Sequence, residues 1–268
     1  MSWRRWGLVG AITLPLLAAP LVLDAVRLPG AEELRSRITS RYSPGTARSW
    51  TPLWAISPQL RESVVIWEDP AFYHHSGVSL RMILGAVATD VKERRWARGG
   101  STITQQVAKN LFLTREKTLR RKWRDALVAR RLERVLSKDE ILEVYLNTAE
   151  WGESVHGARE AARFYFGLPA DRLDWAEAAL LASVLPNPRA LSPCGARADT
   201  APRRDLILGR LHEEGRITRE QHDRAVATPV VVRCRRSEAP GRTPGRRSPR
   251  TAPGSGASPR ASGRAGPS

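Results

Sequence analysis

Residues 99–110 read GGSTITQQVAKN, and one helix upstream residues 67–77 read WEDPAFYHHSG. Either pattern alone is weak, since acidic pairs end many helices and Gly-Gly-Ser makes many turns. In this order, followed by RRKWRDA at 120–126 and KDEILEVYLNTAEWG at 138–152, they read as one active site carried on helices. The periodicity around them is helical almost throughout. Ser57-Pro58 has the form of an N-cap followed by proline at the first helical position, with Leu60, Val64 and Trp67 on one face of the helix that delivers Glu68. Leu80, Ile83, Leu84, Val87 and Val91 form the next stripe. Further helices are expected at 118–136, 138–149, 153–164, 175–185, 203–213 and 218–227, the last opened by a Thr218/Gln221 capping box. No long window alternates with period two, so the fold class is mostly α, with 230–232 the one candidate for a short strand.

The residue types suggest the chemistry. Glu68 and Asp69 end an amphipathic helix, and Phe72 and Tyr73 follow within a turn. A carboxylate at an apolar wall has its pKa raised and serves as a general base or acid near neutral pH, which makes Glu68 the candidate base. The plainer alternative is a solvated helix end with His75 as a structural histidine. Gly99 and Gly100 permit a tight turn, Ser101, Thr102 and Thr104 offer hydroxyls, and Gln105 and Gln106 offer donors and acceptors. Lys109 lies one turn beyond Gln105, and Asn110 follows. Such a set suits a sugar beside a phosphate; the alternative is a polar helix start capped by Ser101. Lys117, Arg121 and Arg124, spaced by four and three, line one face of the next helix, and a basic face beside Lys109 suits a diphosphate. No nucleic acid is expected, because no binding pattern for it is recognisable.

The chain has 268 residues and a formal charge of +17, enough for one domain with a substantial core and in favour of an anionic partner. Arg4 and Arg5 precede an uncharged run from Trp6 to Leu23. As a helix that run spans roughly 27 Å, close to the roughly 30 Å hydrocarbon core. Basic residues before it predict a cytoplasmic N-terminus and an external catalytic domain; the competing reading is a signal peptide cleaved near Ala18 and Ala19. The expected division is cytoplasmic residues 1–5, a transmembrane anchor at 6–26, a membrane-proximal linker at 27–51, a catalytic domain at 52–234 and a disordered basic tail at 235–268. The tail carries eight Arg among many Pro, Gly and Ser, a composition that cannot offset its ordering entropy by burial. Cys194 and Cys234 are the only cysteines and are expected to pair in an oxidising compartment, the alternative being two free thiols.

The segments EDPAFYHHSG, GGSTITQQVAKN, RKWRDA and KDEILEVYLNTAEWG resemble the successive motifs of the peptidoglycan glycosyltransferases, glycosyltransferase family 51. The likeness runs from about Pro52 to Pro193, through GAREAARFYFG and EAALLASVLPNP. With no Ser-x-x-Lys motif, the chain resembles the monofunctional biosynthetic type more than class A penicillin-binding proteins. The resemblance implies a lysozyme-like helical domain behind one transmembrane helix, on the periplasmic side of a bacterial inner membrane. It implies polymerisation of lipid II into β-1,4-linked glycan with release of undecaprenyl diphosphate. Glu68 and Asp125 are the implied catalytic residues. Substrate contacts are implied for Asp69, Phe72, His75, Ser101, Thr102, Gln105, Gln106, Lys109, Asn110, Lys117, Arg121 and Arg124, with Lys109, Lys117 and Arg121 facing the leaving diphosphate. A divalent cation, Mg or Mn, is the cofactor implied there, with no ligands assigned and no organic cofactor. The implied partners are lipid II, the growing glycan strand, the membrane and cell-wall transpeptidases.

Two departures stand out. Asp125 occupies a position where the family has glutamate, which retracts the charge by one methylene, and Lys117 stands where an arginine often occurs, which turns a bidentate contact into a point charge. A lysozyme-like hydrolase and a non-catalytic lipid II-binding scaffold are the other function classes. Trp67, Phe72, Trp96 and 78–87 form either a membrane-dipping face or ordinary core.

Overall fold

The structure, a computed structural model, describes residues 30–41, 50–79, 82, 100–112, 119–194 and 201–234. The expected anchor, Trp96, Lys117 and the tail lie outside the described residues, as does the 80–91 stripe apart from residue 82. Among the described residues no helix is long and apolar enough to cross a membrane.

Helix α1 (Ala31–Arg41) opens with Glu32 and Glu33, which favour the positive end of the helix dipole. It lies within the segment expected to be a linker. Leu34 and Ile38, one turn apart, are buried and join the core where α1 meets α4 (Leu119–Val135). Two large apolar residues in eleven are too thin a stripe to read as a helix.

Helix α2 (Pro58–Glu68) starts as expected, with Ser57 Oγ accepting from Leu60 N–H at 3.1 Å and proline at the first position. It buries Leu60, Val64, Val65 and Ile66. The helices packed on it are α7 (Trp175–Ser183) and α8 (Ala201–Glu213). Helix α7 is buried on almost every side, from Ala176 through Ser183 with only Glu177 partly exposed, which marks it as the central helix. Helix α9 (Arg219–Ala227) leans on α8 and α7 and carries the expected Thr218/Gln221 capping box.

A second group brings α3 (Ile103–Phe112) against both α4 and α5 (Lys138–Thr148). Helix α5 is fixed at its start by reciprocal bonds between Ser137 and Glu140. It also ties down the chain entering the domain. Asn147 pairs with both backbone groups of Thr51 at 2.8 Å, and Glu143 accepts from Leu53 N–H at 2.7 Å.

Two expectations are corrected beyond α5. Residues 153–156 are not helical: β1 (Glu150–Gly152) and β2 (Val155–His156) form an antiparallel hairpin, turning through Ser154 at φ 63°. Helix α6 (Ala158–Phe166) begins only after Gly157, whose φ of 84° breaks any continuation from the hairpin. Gly152 is needed because the Tyr165 hydroxyl lies 2.5 Å from where a Cβ would stand; that hydroxyl donates to Trp151 O at 2.8 Å. The second correction concerns 230–232, which forms no strand: Val230 and Val232 pack on the core and Val231 is exposed, but the one backbone bond nearby is Arg233 N–H to Tyr165 O at 2.7 Å. The expected disulfide between Cys194 and Cys234 is present and fastens this last described segment.

Candidate active site

Glu68 is the last residue of α2 and is half-buried. Its Oε2 accepts a hydrogen bond from Gln106 Nε2 at 2.6 Å, joining the two motifs that the sequence sets one helix apart. Burial pushes the Glu68 carboxyl up from its ordinary value of 4.5; the Gln106 bond and the Lys109 ammonium oppose that rise, and the neighbouring Asp69 adds to it. A carboxyl raised in this way is suited to accept a proton near neutral pH. On the other side of Gln106 stands Tyr145 of α5, fully buried, with its hydroxyl 3.5 Å from Gln106 Oε1. Burial, with the Glu68 charge, pushes the Tyr145 phenol well above its ordinary range, so it stays protonated.

Asp69, adjacent in sequence, has the opposite surroundings. Its side chain is completely buried; Oδ2 accepts from Ile103 N–H at 3.1 Å, and both oxygens face His75 Nε2, at 3.1 and 2.9 Å. His75 Nδ1 accepts from Gly77 N–H at 3.2 Å, so Nε2 carries the proton and donates to Asp69. Gly77 itself sits at φ 86°, and a Cβ there would lie 2.9 Å from the Ala129 carbonyl of α4. Thr102 Oγ1 donates to Gly77 O at 2.7 Å and accepts from Gln105 N–H at 3.1 Å, while Gln105 Oε1 accepts from Thr102 N–H at 2.9 Å. That reciprocal pair is a capping box at the start of α3.

The residues expected to touch substrate therefore divide. Phe72 is fully buried, and the polar atoms of Asp69, His75, Thr102 and Gln105 just named are engaged within the protein. The helix cap is Thr102 and not Ser101. Ser101, Lys109 and Asn110 are exposed, the last two one turn beyond Gln106 on α3, and Arg124 on α4 is half-buried. Asp125 is buried on α4; Arg121 lies in α4 with its side chain outside the described residues, as Lys117 is entirely.

Three further residues complete the frame. Glu133 Oε1 accepts from Thr104 at 2.6 Å and from Lys138 Nζ at 2.7 Å. Lys138 also donates to His75 O at 2.6 Å and sits 4.5 Å over the Phe72 ring, a cation–π contact. Lys138 and Tyr145, seven residues apart, fall on one face of α5, and that spacing was the available signal for both. Glu133 had none. Among the described residues no three His, Cys, Asp or Glu side chains converge to hold a metal ion.

The chain matches the Transglycosylase family over residues 35–212. It is 48% identical over 140 residues to the biosynthetic peptidoglycan transglycosylase of Nitrosomonas eutropha, covering 52% of this chain and 57% of that protein. It is 41% identical over 221 residues to penicillin-binding protein 1A of Aquifex aeolicus, covering 81% of this chain and 30% of that one. To penicillin-binding protein 2D of Bacillus subtilis it is 39% identical over 186 residues, covering 69% of this chain and 27% of that one. The chain thus spans between about a quarter and three fifths of the length of these relatives. The matched region contains Glu68, Gln106, Asp125 and Tyr145 together with the frame that holds them, and the chain belongs to the transglycosylase family.

Proposed function

We propose that the chain is a peptidoglycan glycosyltransferase that polymerises lipid II into β-1,4-linked glycan strands, anchored by residues 6–26 with its catalytic domain outside the bacterial inner membrane. The observation that carries this reading is the Glu68 carboxyl, raised by burial and gripped at 2.6 Å by Gln106 from the Gly-Gly-Ser segment. A relative named biosynthetic peptidoglycan transglycosylase supports it. Glu68 takes the proton from the acceptor sugar 4-hydroxyl as that oxygen attacks the anomeric carbon of the growing strand in line. The bond from that carbon to the diphosphate breaks, the α-linkage inverts to β, and undecaprenyl diphosphate leaves with the bonding electrons. Lys109 acts electrostatically on Glu68 and is exposed; with Arg124, Arg121 and Lys117 it stabilises the charge developing on the leaving group. Ser101 and Asn110 contact the sugars. Asp125 is the second catalytic carboxylate, and a divalent cation, when bound at the diphosphate, would supply further positive charge against the departing oxygens.

The test is incubation of the full-length protein and its Glu68→Gln variant with labelled lipid II. Polymer from the wild type and none from the variant is expected. Absence of polymer from the wild type, or shortening of a preformed strand, overturns the reading in favour of a binding scaffold or a hydrolase.

A further inference from the structure

We propose that Tyr145 is a positioning residue for glycosyl transfer, whose hydroxyl holds the oxygen end of the Gln106 amide so that the nitrogen end stays on Glu68. The inference rests on Glu68 being the base. Gln106 has two ends of nearly equal shape and opposite character: its NH2 donates to a carboxylate, and its oxygen repels one. The three side chains come from α2, α3 and α5 and form one line, Glu68 Oε2 to Gln106 Nε2 at 2.6 Å and Gln106 Oε1 to the Tyr145 hydroxyl at 3.5 Å.

The second distance is at the long limit for a hydrogen bond, but Tyr145 is 1% exposed and its phenol proton has this oxygen to point at. Donation into the amide oxygen polarises the amide and strengthens donation from its nitrogen. Buried as it is, Tyr145 reaches neither solvent nor substrate, so its effect on the reaction passes through Gln106. The groups acting on Glu68 are Gln106 and Lys109 from α3 and Asp69 beside it, and Tyr145 from α5 feels the Glu68 charge in turn. Without the hydroxyl, the amide oxygen loses its donor, the grip on the carboxylate loosens, and burial raises Glu68 further.

The experiment compares full-length wild type and Tyr145→Phe in two readouts: the pH profile of lipid II polymerisation, and the titration of 13C-labelled glutamate carboxyls without substrate, with Glu68 assigned by its absence in Glu68→Gln. The acid limb and the Glu68 titration are expected to move upward together by roughly half a pH unit to one pH unit, the worth of one ordinary hydrogen bond. The rate well above the limb should stay within about threefold of wild type, a factor smaller than one such bond at its upper range. A uniform loss of rate with an unmoved titration overturns the proposal and leaves Tyr145 a packing residue. Gln106→Met covers the case in which Tyr145→Phe misfolds: it should move the titration at least as far, and a smaller movement overturns the proposal. The two readings fail separately. A titration that moves in a protein making no glycan supports the positioning and removes the transfer, whereas glycan synthesis with an unmoved titration removes the positioning alone.

Discussion

Replacing Asp69 tests whether the frame around Glu68 is held by one buried carboxylate. The side chain is completely buried and accepts from two donors, the Ile103 N–H that opens α3 and His75 Nε2. Asp69→Ala leaves both donors buried without an acceptor, at about 1–3 kcal/mol each, so a loss of about 4 kcal/mol is expected. Asp69→Asn retains one oxygen for the shared position but gives up the charge assistance on both bonds, worth roughly 1 kcal/mol apiece, and should lose about 2 kcal/mol. For a domain of this size each kcal/mol moves the melting temperature by roughly 2–4 °C. Urea unfolding followed by tryptophan fluorescence measures both variants. The loss should couple to His75: His75→Ala should cost less in the Asp69→Ala background than in wild type, because the bond it removes is already gone. Catalysis should fall through kcat, since α3 delivers Gln106 to Glu68 and a shift of about 1 Å in a catalytic contact costs on the order of a hundredfold. An Asp69→Ala protein within about 1 kcal/mol of wild type, with additive His75→Ala and unchanged turnover, refutes the reasoning.

Glu68→Gln should be more stable than wild type at neutral pH while inactive. A folded-state pKa raised above 4.5 means that stability is fully present below that value and is lost as pH rises through the raised pKa. Melting curves of the two proteins should therefore converge in acid and separate above it, by about 1.4 kcal/mol for each pH unit between the unfolded and folded pKa. Lys109→Met removes a cation that lowers the Glu68 pKa, so the acid limb of the pH–rate profile should move upward; a limb that stays or moves down contradicts the electrostatic role. Gly77→Ala combines a left-handed conformation at φ 86° with a Cβ 2.9 Å from the Ala129 backbone. About 1–2 kcal/mol for the first and about 1–3 for the second should appear in urea unfolding. Replacing both Cys194 and Cys234 by serine opens a cross-link across 40 residues and should lower stability by up to about 4 kcal/mol, whereas an unchanged melting temperature would assign the bridge no part in holding the segment that ends at Cys234.

How much of this was legible in the sequence depended on the range of the interaction. Ser57-Pro58 and the Thr218/Gln221 pair are local, and both caps form as their spacing predicts. Thr102 and Gln105, also three apart, form the same reciprocal pair, but a glutamine in a polar run offers its amide equally to a ligand, so spacing alone does not single out the cap. The hairpin at 150–156 escaped because Trp151 and Val155 are its only deeply buried apolar residues, too few for a period of two to show. Helix α1 escaped for the same reason, its burial resting on Leu34 and Ile38 against a helix some eighty residues further on. The least legible part was which motif residues bond one another inside the protein. Residue type leaves the partners of His75 open; only the positions of Gly77 N–H and Asp69 show that both ring nitrogens are engaged within the protein.

The adjacent carboxyls of Glu68 and Asp69 stand at one helix end in opposite surroundings. Both leave the C-terminal end of α2, where the helix dipole disfavours negative charge. Asp69 turns inward to two donors that come from different parts of the chain, the start of α3 and the loop carrying His75, so its charge is matched and it serves as a tie. Glu68 receives one donor, Gln106, with Lys109 acting on it electrostatically, against a larger burial penalty and the charge of Asp69 itself. The tie thus does two things at once: it sets α3 so that Gln106 reaches Glu68, and it places a negative group beside Glu68 that favours proton uptake. Exchanging the two residue types would undo both effects. A glutamate at 69 would push the shared carboxylate one methylene too far toward the Ile103 amide, and an aspartate at 68 would fall short of Gln106. The order Glu-Asp, and not merely the presence of an acidic pair, is what the geometry of this site requires.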